Sequence, residues 1–179
     1  PFLQPPINKF IQDGYQLLYE LDAVDRNFKI LPMGHQLAKL PLDPSLGRIL
    51  IESNKQACLN EILIIISALS ISDPRERPLD KAEKADQAHL LFHDPDSGFM
   101  SFIKLWKLLD EKISIKSGKG LRAFCQQYFV SYTRIREWQE LYKQLAEMTK
   151  ELDFRASQKK VTYERIHISL LTGLLGNIG

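Results

Sequence analysis

Cysteine is scarce in this 179-residue chain: Cys58 and Cys125 stand alone, far apart and in no metal-like spacing. They form neither a disulfide framework nor a zinc motif, so reduced thiols in a cytoplasmic protein are expected. Long apolar runs are lacking too. The longest, residues 62–69, includes Ser67 and is far too short to span a bilayer, which argues against a membrane partner. No basic-then-apolar leader opens the chain, so export is not indicated. Signatures of catalysis are equally thin. There is no G-x-S-x-G, and neither cysteine has an activating sequence context. Lys116-Ser117-Gly118-Lys119-Gly120 hints at a phosphate loop but lacks its leading glycine and the Ser or Thr after the lysine, and reads as an interhelical turn. His89 and His93 are four apart, as metal ligands on a helix can be. The glutamate of a zinc-protease motif is replaced by Leu90, so a surface or packing role is expected. The chain is therefore expected to hold no cofactor or metal and to catalyse nothing by itself.

What is present is ordinary globular composition, 44% hydrophobic and 26% charged, which argues against disorder and coiled coil. The formal charge is only +2 but uneven. Residues 1–60 carry six cations and six anions, residues 61–100 four and eight, and residues 101–179 fourteen and eight. Eight cations fall within 104–136 (Lys104, Lys107, Lys112, Lys116, Lys119, Arg122, Arg134 and Arg136) against Asp110 and Glu111. Such a patch suits phosphates, or is simply a solvated helical face. The chain begins at Pro1 without Met and stops at Gly179 just after an apolar stretch, which suggests a piece of a longer polypeptide.

Residues 7–21 show helical spacing of Ile7, Phe10, Ile11, Leu17, Leu18 and Leu21. Two short apolar segments around Asp25-Arg26-Asn27 read as a β-hairpin, and Pro32 opens a helix through Leu40 that Leu40-Pro41-Leu42-Asp43-Pro44 breaks. Helix, hairpin and helix form a winged-helix-like pattern. Beyond it the signal is helical. Asp43 caps a helix from Pro44 to about Ala57. Residues 59–71 read as a buried helix rather than the strand that Ile62-Leu63-Ile64-Ile65-Ile66 also allows. Ser72-Asp73-Pro74-Arg75-Glu76-Arg77-Pro78 is a loop, and Asp80 with Glu83 resembles a capping box for a helix over 81–92. A helix from Phe99 through Ile113 follows. A stripe of 25 residues then runs from Leu121 to Leu145, set off by a hinge-like turn at Gly118 and Gly120. A loop over 151–160 leads to a last helix over about 163–175.

The expected fold class is mainly α: a winged-helix-like domain over 1–57 and a helical-bundle domain over 58–179. Trp106, Tyr128, Phe129, Tyr132 and Trp138 interleave with the basic positions and either stack bases or fill the core between helices. Arg75 and Arg77 differ, because helix packing does not explain long side chains on a proline-bounded loop where binding groups are often presented. Lys81 and Lys84 follow closely.

Pro1-Phe2-Leu3-Gln4-Pro5-Pro6, Leu31-Pro32-Met33-Gly34, Leu40-Pro41-Leu42-Asp43-Pro44 and Asp73-Pro74-Arg75-Glu76-Arg77-Pro78 resemble the region that follows the motors of DEAH-box RNA helicases. Phe92-His93-Asp94, Tyr128-Phe129-Val130-Ser131-Tyr132, Arg134-Ile135-Arg136-Glu137-Trp138-Gln139 and the segment 166–175 are similar to its bacterial HrpA-like branch. The resemblance covers essentially the whole chain. It implies a winged helix followed by a ratchet-like helical domain, with RecA-like motor domains before it and an OB-fold after it in the same polypeptide. ATP and Mg2+ would then belong to the parent protein, an ATP-dependent RNA helicase, and single-stranded RNA would be the partner. The candidate RNA-binding residues are Arg75, Arg77, Lys81, Lys84, Arg134 and Arg136. Leu31 stands where the family commonly has a hydroxyl cap, and Ser131 where asparagine is common. A protein-interaction scaffold for motors or adaptors is the alternative reading. A free-standing DNA-binding regulator is disfavoured, since the helix from Pro32 offers only His35, Gln36 and Lys39 as polar contacts.

Overall fold

The computed structural model describes residues 8–112, 118–152, 154 and 161–174. Its helices are α1 (Asn8–Glu20), α2 (Pro32–Leu37), α3 (Pro44–Lys55), α4 (Leu59–Leu69), α5 (Ala82–His89), α6 (Gly98–Lys112), α7 (Gly118–Tyr128), α8 (Tyr132–Glu151) and α9 (Tyr163–Leu174). The chain forms two compact units, one of Pro1–Ile62 with Ala156–Gly179 and one of Leu63–Arg155.

In the first unit, the chain turns away just after α1 at Asp22, whose φ of 57° lets Ala23 N–H reach back to the Leu18 carbonyl at 2.8 Å. The hairpin expected next is reduced to one isolated antiparallel bridge, Val24 to Ile30, and no strand occurs among the described residues. The turn itself explains this. Asp25 Oδ1 accepts from the backbone of Asn27 (2.8 Å) and Lys29 (2.9 Å), Phe28 takes φ 62°, and Leu31 N–H already bonds Ala23 O before α2 begins. Too few residues remain on either side to extend a ladder. Helix α2 stops at Leu37 rather than Leu40, and Leu31 gives it no side-chain cap. Gly34 is required here, because a Cβ would lie 2.3 Å from the Ala23 carbonyl oxygen. Asp43 caps α3 as expected, accepting from Ser45 N–H at 2.9 Å.

Helix α9 packs on α3 and so belongs to the first unit. Gly173 makes the close approach possible: a Cβ would stand 2.2 Å from Ser45 O and 2.7 Å from Ile49 Cγ1. Buried Cys58 lies 3.3 Å from Ser169 Oγ in the same interface, and burial raises its thiol pKa.

The second unit is built around Trp138 of α8, which is wholly buried. Its indole N–H donates to Ile64 O and Ser67 Oγ, both at 3.0 Å. Trp106 and Phe102 meet its ring edge-on at 5.0 and 5.9 Å. This settles α4 as a buried helix, with Ile65 and Ile66 fully enclosed. Cys125 is also buried, and desolvation pushes its thiol up to about 11, away from nucleophilic use.

Two expectations fail in this unit. The Asp80–Glu83 capping box does not form. A 3-10 turn, Leu79–Lys81, follows extended Pro78 and takes up Asp80, so Lys81 sits at the start of α5 without a side-chain cap. The stripe from Leu121 to Leu145 is two helices, because Phe129 adopts φ 51° and Val130 N–H closes back on Cys125 O at 3.0 Å. Gly118 opens α7 rather than forming a hinge. Residues 113–117, with Lys116 and Ser117, and most of the 151–160 loop lie outside the described residues.

Helix α3 ends like α1 and α7, with Ala57 at φ 57° and Cys58 N–H bonded to Ser53 O at 3.0 Å. Glycine suits this position better than alanine. Ala57→Gly is expected to raise the stability of the purified chain by about 1 kcal/mol. Gly173→Ala is expected to lower it by about 1–3 kcal/mol. Thermal or urea unfolding reads both.

Candidate nucleic-acid interface

All six predicted cations lie in the second unit. The loop that carries Arg75 and Arg77 is short of donors, since Pro74 and Pro78 have no N–H. It satisfies the rest by pairing with the α7–α8 junction. Glu76 N–H donates to Phe129 O at 2.9 Å, Ser131 N–H donates to Pro74 O at 2.8 Å, and Arg75 and Val130 form an antiparallel bridge. His89 Nε2 also meets Phe129 O, at 3.0 Å. As the carbonyl can only accept, the ring must carry its proton on Nε2.

Arg75 is held on several sides. Its Nε donates to Asp73 Oδ1 at 2.9 Å, its own N–H donates to the same oxygen at 2.9 Å, and its guanidinium lies 5.5 Å from the Phe102 ring centre. Arg134 reaches the same corner, its Nη1 donating to Asp73 O at 2.8 Å. Arg77 makes a two-pronged pair with Asp86 of α5, Nε to Oδ1 at 2.7 Å and Nη2 to Oδ2 at 2.8 Å. Lys81 and Lys84 are exposed at the start of α5. The structure thus joins Arg75 and Arg134 at Asp73 and keeps Arg77 nearby in sequence on its own tether. Arg136 is exposed, but two residues from Arg134 it points some 200° away around the helix.

Beside the loop lies a pocket of about 190 Å³, lined by Arg75, Asp86, His89, Leu90, Phe92 and His93. Among the described residues no cluster of three or more His, Cys, Asp or Glu could hold a metal ion. Other members of the basic run are spoken for: Lys104 pairs with Asp94 at 2.9 Å and donates to His93 O at 3.1 Å, and Arg122 covers the Tyr132 ring at 5.1 Å. Trp138 and Tyr128 are buried in the core.

Sequence reasoning missed Asp73, Asp86 and His89 as partners of this loop. Asp73 was findable, since an aspartate before proline and two before Arg75 makes a local side-chain turn. Nothing local pairs residues 77 and 86.

Residues 43–160 match the family model described as "Helicase associated domain (HA2), ratchet-like", and residues 15–42 match its winged-helix counterpart. The chain belongs to the HA2 family. This HA2 region is 44% identical over 184 residues to the ATP-dependent RNA helicase HrpA of Escherichia coli (strain K12), an alignment that covers 100% of the chain and 14% of that protein. It is 40% identical over 186 residues to the HrpA homolog of Haemophilus influenzae, again 100% of the chain and 14% of the relative. It is 28% identical to the DExH-box ATP-dependent RNA helicase DExH1 of Arabidopsis thaliana, over 98% of the chain and 18% of that protein. The HA2 region therefore spans 14–18% of the length of these relatives. The arginine loop and its partners lie inside the ratchet-like match.

Burial disfavours the charged form of Asp73, but hydrogen bonds from the Arg75 side chain and backbone outweigh it and hold the carboxyl below its ordinary range. A carboxyl depressed in the fold contributes stability at pH values above its unfolded pKa, and loses it as pH falls through the folded value. Asp86, bonded by Arg77, and Asp94, bonded by Lys104, shift the same way. Unfolding midpoints are expected to fall as pH drops below about 4, and Asp73→Asn is expected to flatten that fall without abolishing it.

Proposed function

We propose that this HA2 region is an accessory module of an ATP-dependent RNA helicase of the HrpA-like, DEAH-box branch, and that its ratchet-like unit holds single-stranded RNA through cations on and around the 73–78 loop. The observation that carries this reading is the arginine loop itself. It is braced by backbone pairing and lies within the ratchet-like match of a chain whose relatives are named as RNA helicases. Arg75, Arg77, Lys81, Lys84, Arg134 and Arg136 are its candidate contacts. Phosphate contacts of this kind position a strand without reading its bases, so low sequence specificity follows.

ATP binding and hydrolysis, with Mg2+, we assign to RecA-like motor domains elsewhere in the parent chain. The sole phosphate-loop-like sequence here departs from that motif at its leading glycine and at the hydroxyl after its lysine. An OB-fold in the same polypeptide and a cytoplasmic location belong to the same reading. No helix among the described residues is long and apolar enough to cross a membrane.

One observation favours the scaffold reading for the first unit. Helix α1 buries none of its residues, and Phe10, Ile11, Tyr15 and Tyr19 are exposed on it. Phe28 packs against Tyr15 at 4.6 Å, beside a groove of about 400 Å³. A face this apolar suits a protein surface, and we assign it to the remainder of the parent chain.

In the full-length protein, Arg75→Ala with Arg77→Ala is expected to weaken single-stranded RNA binding about tenfold or more. It should also make the log Kd against log salt slope shallower. Fluorescence anisotropy over a salt series measures both, and unchanged affinity and unwinding would remove these residues from the interface.

A further inference from the structure

We propose that Asp86 is an internal competitor for RNA: in the unbound protein its carboxylate occupies the Arg77 guanidinium, and a backbone phosphate displaces it when the strand is gripped. This rests on the RNA-holding reading above and assigns a role to a residue that reading does not use.

The arginines around the loop are tied down in different ways. Arg75 is half-buried and engaged through its backbone bridge, its Asp73 turn and the Phe102 ring, so it serves to shape the loop. Arg134 donates a hydrogen bond to the Asp73 backbone carbonyl, an acceptor that is part of the loop's own course. Arg77 is held otherwise. Its side chain is 58% exposed, Asp86 is 51% exposed, and the tie joins a loop to a separate helix nine residues on. Exposed pairs of this kind add little to folding stability and are screened by salt, so the fold tolerates their exchange.

The geometry is the second argument. Two parallel N–H···O bonds at 2.7 and 2.8 Å present the guanidinium edge to two oxygens of one anionic group. A phosphodiester offers the same two-oxygen edge. Aspartate thus stands where a phosphate would, and the two cannot share that edge. An incoming phosphate also brings a like charge toward Asp86, which favours the carboxylate's release to solvent. RNA gains at Arg77 only the difference between two similar pairs. The resting grip is therefore weaker than the count of cations implies, which suits a protein that must let go of its strand as well as hold it.

The test is a double-mutant cycle on the full-length protein, with a fluorescein-labelled oligouridylate read by anisotropy at one moderate salt concentration. Asp86→Asn keeps the shape and one acceptor but removes the charge, and is expected to bind about three- to tenfold tighter than wild type. Arg77→Ala is expected to bind about three- to tenfold weaker. In the Arg77→Ala background, Asp86→Asn should change Kd by less than about twofold. Asp86→Glu, which retains the charge, should stay near wild type, separating competition from disturbance of α5. Asp86→Asn no tighter than wild type, or equally tighter with Arg77 absent, overturns the proposal while leaving the RNA-holding reading intact. Arg77→Ala binding as wild type removes Arg77 from the interface and takes the proposal with it.

Discussion

The ratchet-like unit depends on one backbone event, the left-handed turn at Phe129. A non-glycine residue in that conformation costs roughly 1–2 kcal/mol, yet what it brings is specific. It ends α7, lets Val130 N–H close on Cys125 O, and turns the Phe129 carbonyl outward to accept from both Glu76 N–H and His89 Nε2. A loop with prolines at 74 and 78 has few donors left, and one of them is used here. Were α7 to continue as helix, that carbonyl would be taken by the helix ladder. The Arg75 backbone would lose its bridge partner and the arginines their fixed spacing. The position of the candidate RNA contacts is therefore a consequence of where a neighbouring helix stops.

Electrostatics follows from the same scaffold. By count, residues 61–100 are the acidic part of the chain and look unsuited to a polyanion. In the fold, three of those acids are each matched to a cation: Asp73 to Arg75, Asp86 to Arg77 and Asp94 to Lys104. The first two pairs lie within the segment and leave its acidic excess unchanged, and only Lys104 comes from outside to offset part of it, so what the pairing alters is where the charge sits rather than the total. Conversely, Lys104 and Arg122, members of the basic run, are engaged with Asp94 and the Tyr132 ring. A linear charge window measures neither effect, because it cannot tell a paired ion from one available to solvent.

Much of the helical layout was legible because its signals are local. Asp43 before Pro44 marks one helix start, the proline-bounded loop separates α4 from α5, and the Phe99–Ile103–Trp106 spacing marks α6. What escaped has a common cause. Asp22, Ala57 and Phe129 end helices in a conformation usually advertised by glycine, and none of them is glycine, so the α7–α8 break was invisible in an unbroken apolar stripe. The hairpin shrank to one bridge because Asp25 folded the segment into a tight side-chain turn. The return of α9 to α3 depends on Gly173 meeting Ser45, residues far apart in sequence with no periodicity between them. Of the site, the residue types and the loop were readable, whereas their partners were not, since pairs such as 77 with 86 arise only once the turn between them has folded. The resemblance to helicase-associated regions rested on short motifs in order, and the two HA2 matches bear it out.

The aromatic residues complete the argument about how such a surface would recognise RNA. Trp138 is fully buried with its N–H committed to α4, Tyr128 is enclosed against Phe124, and Trp106 spans Trp138 and Tyr142. Trp138 and Tyr128, buried in this way, are closed to bases. Under the proposed RNA-holding role, what the second unit would offer a strand is cationic and arranged along a backbone-pinned loop and the first turn of α5. A surface that meets phosphates without offering these rings to bases grips any sequence alike.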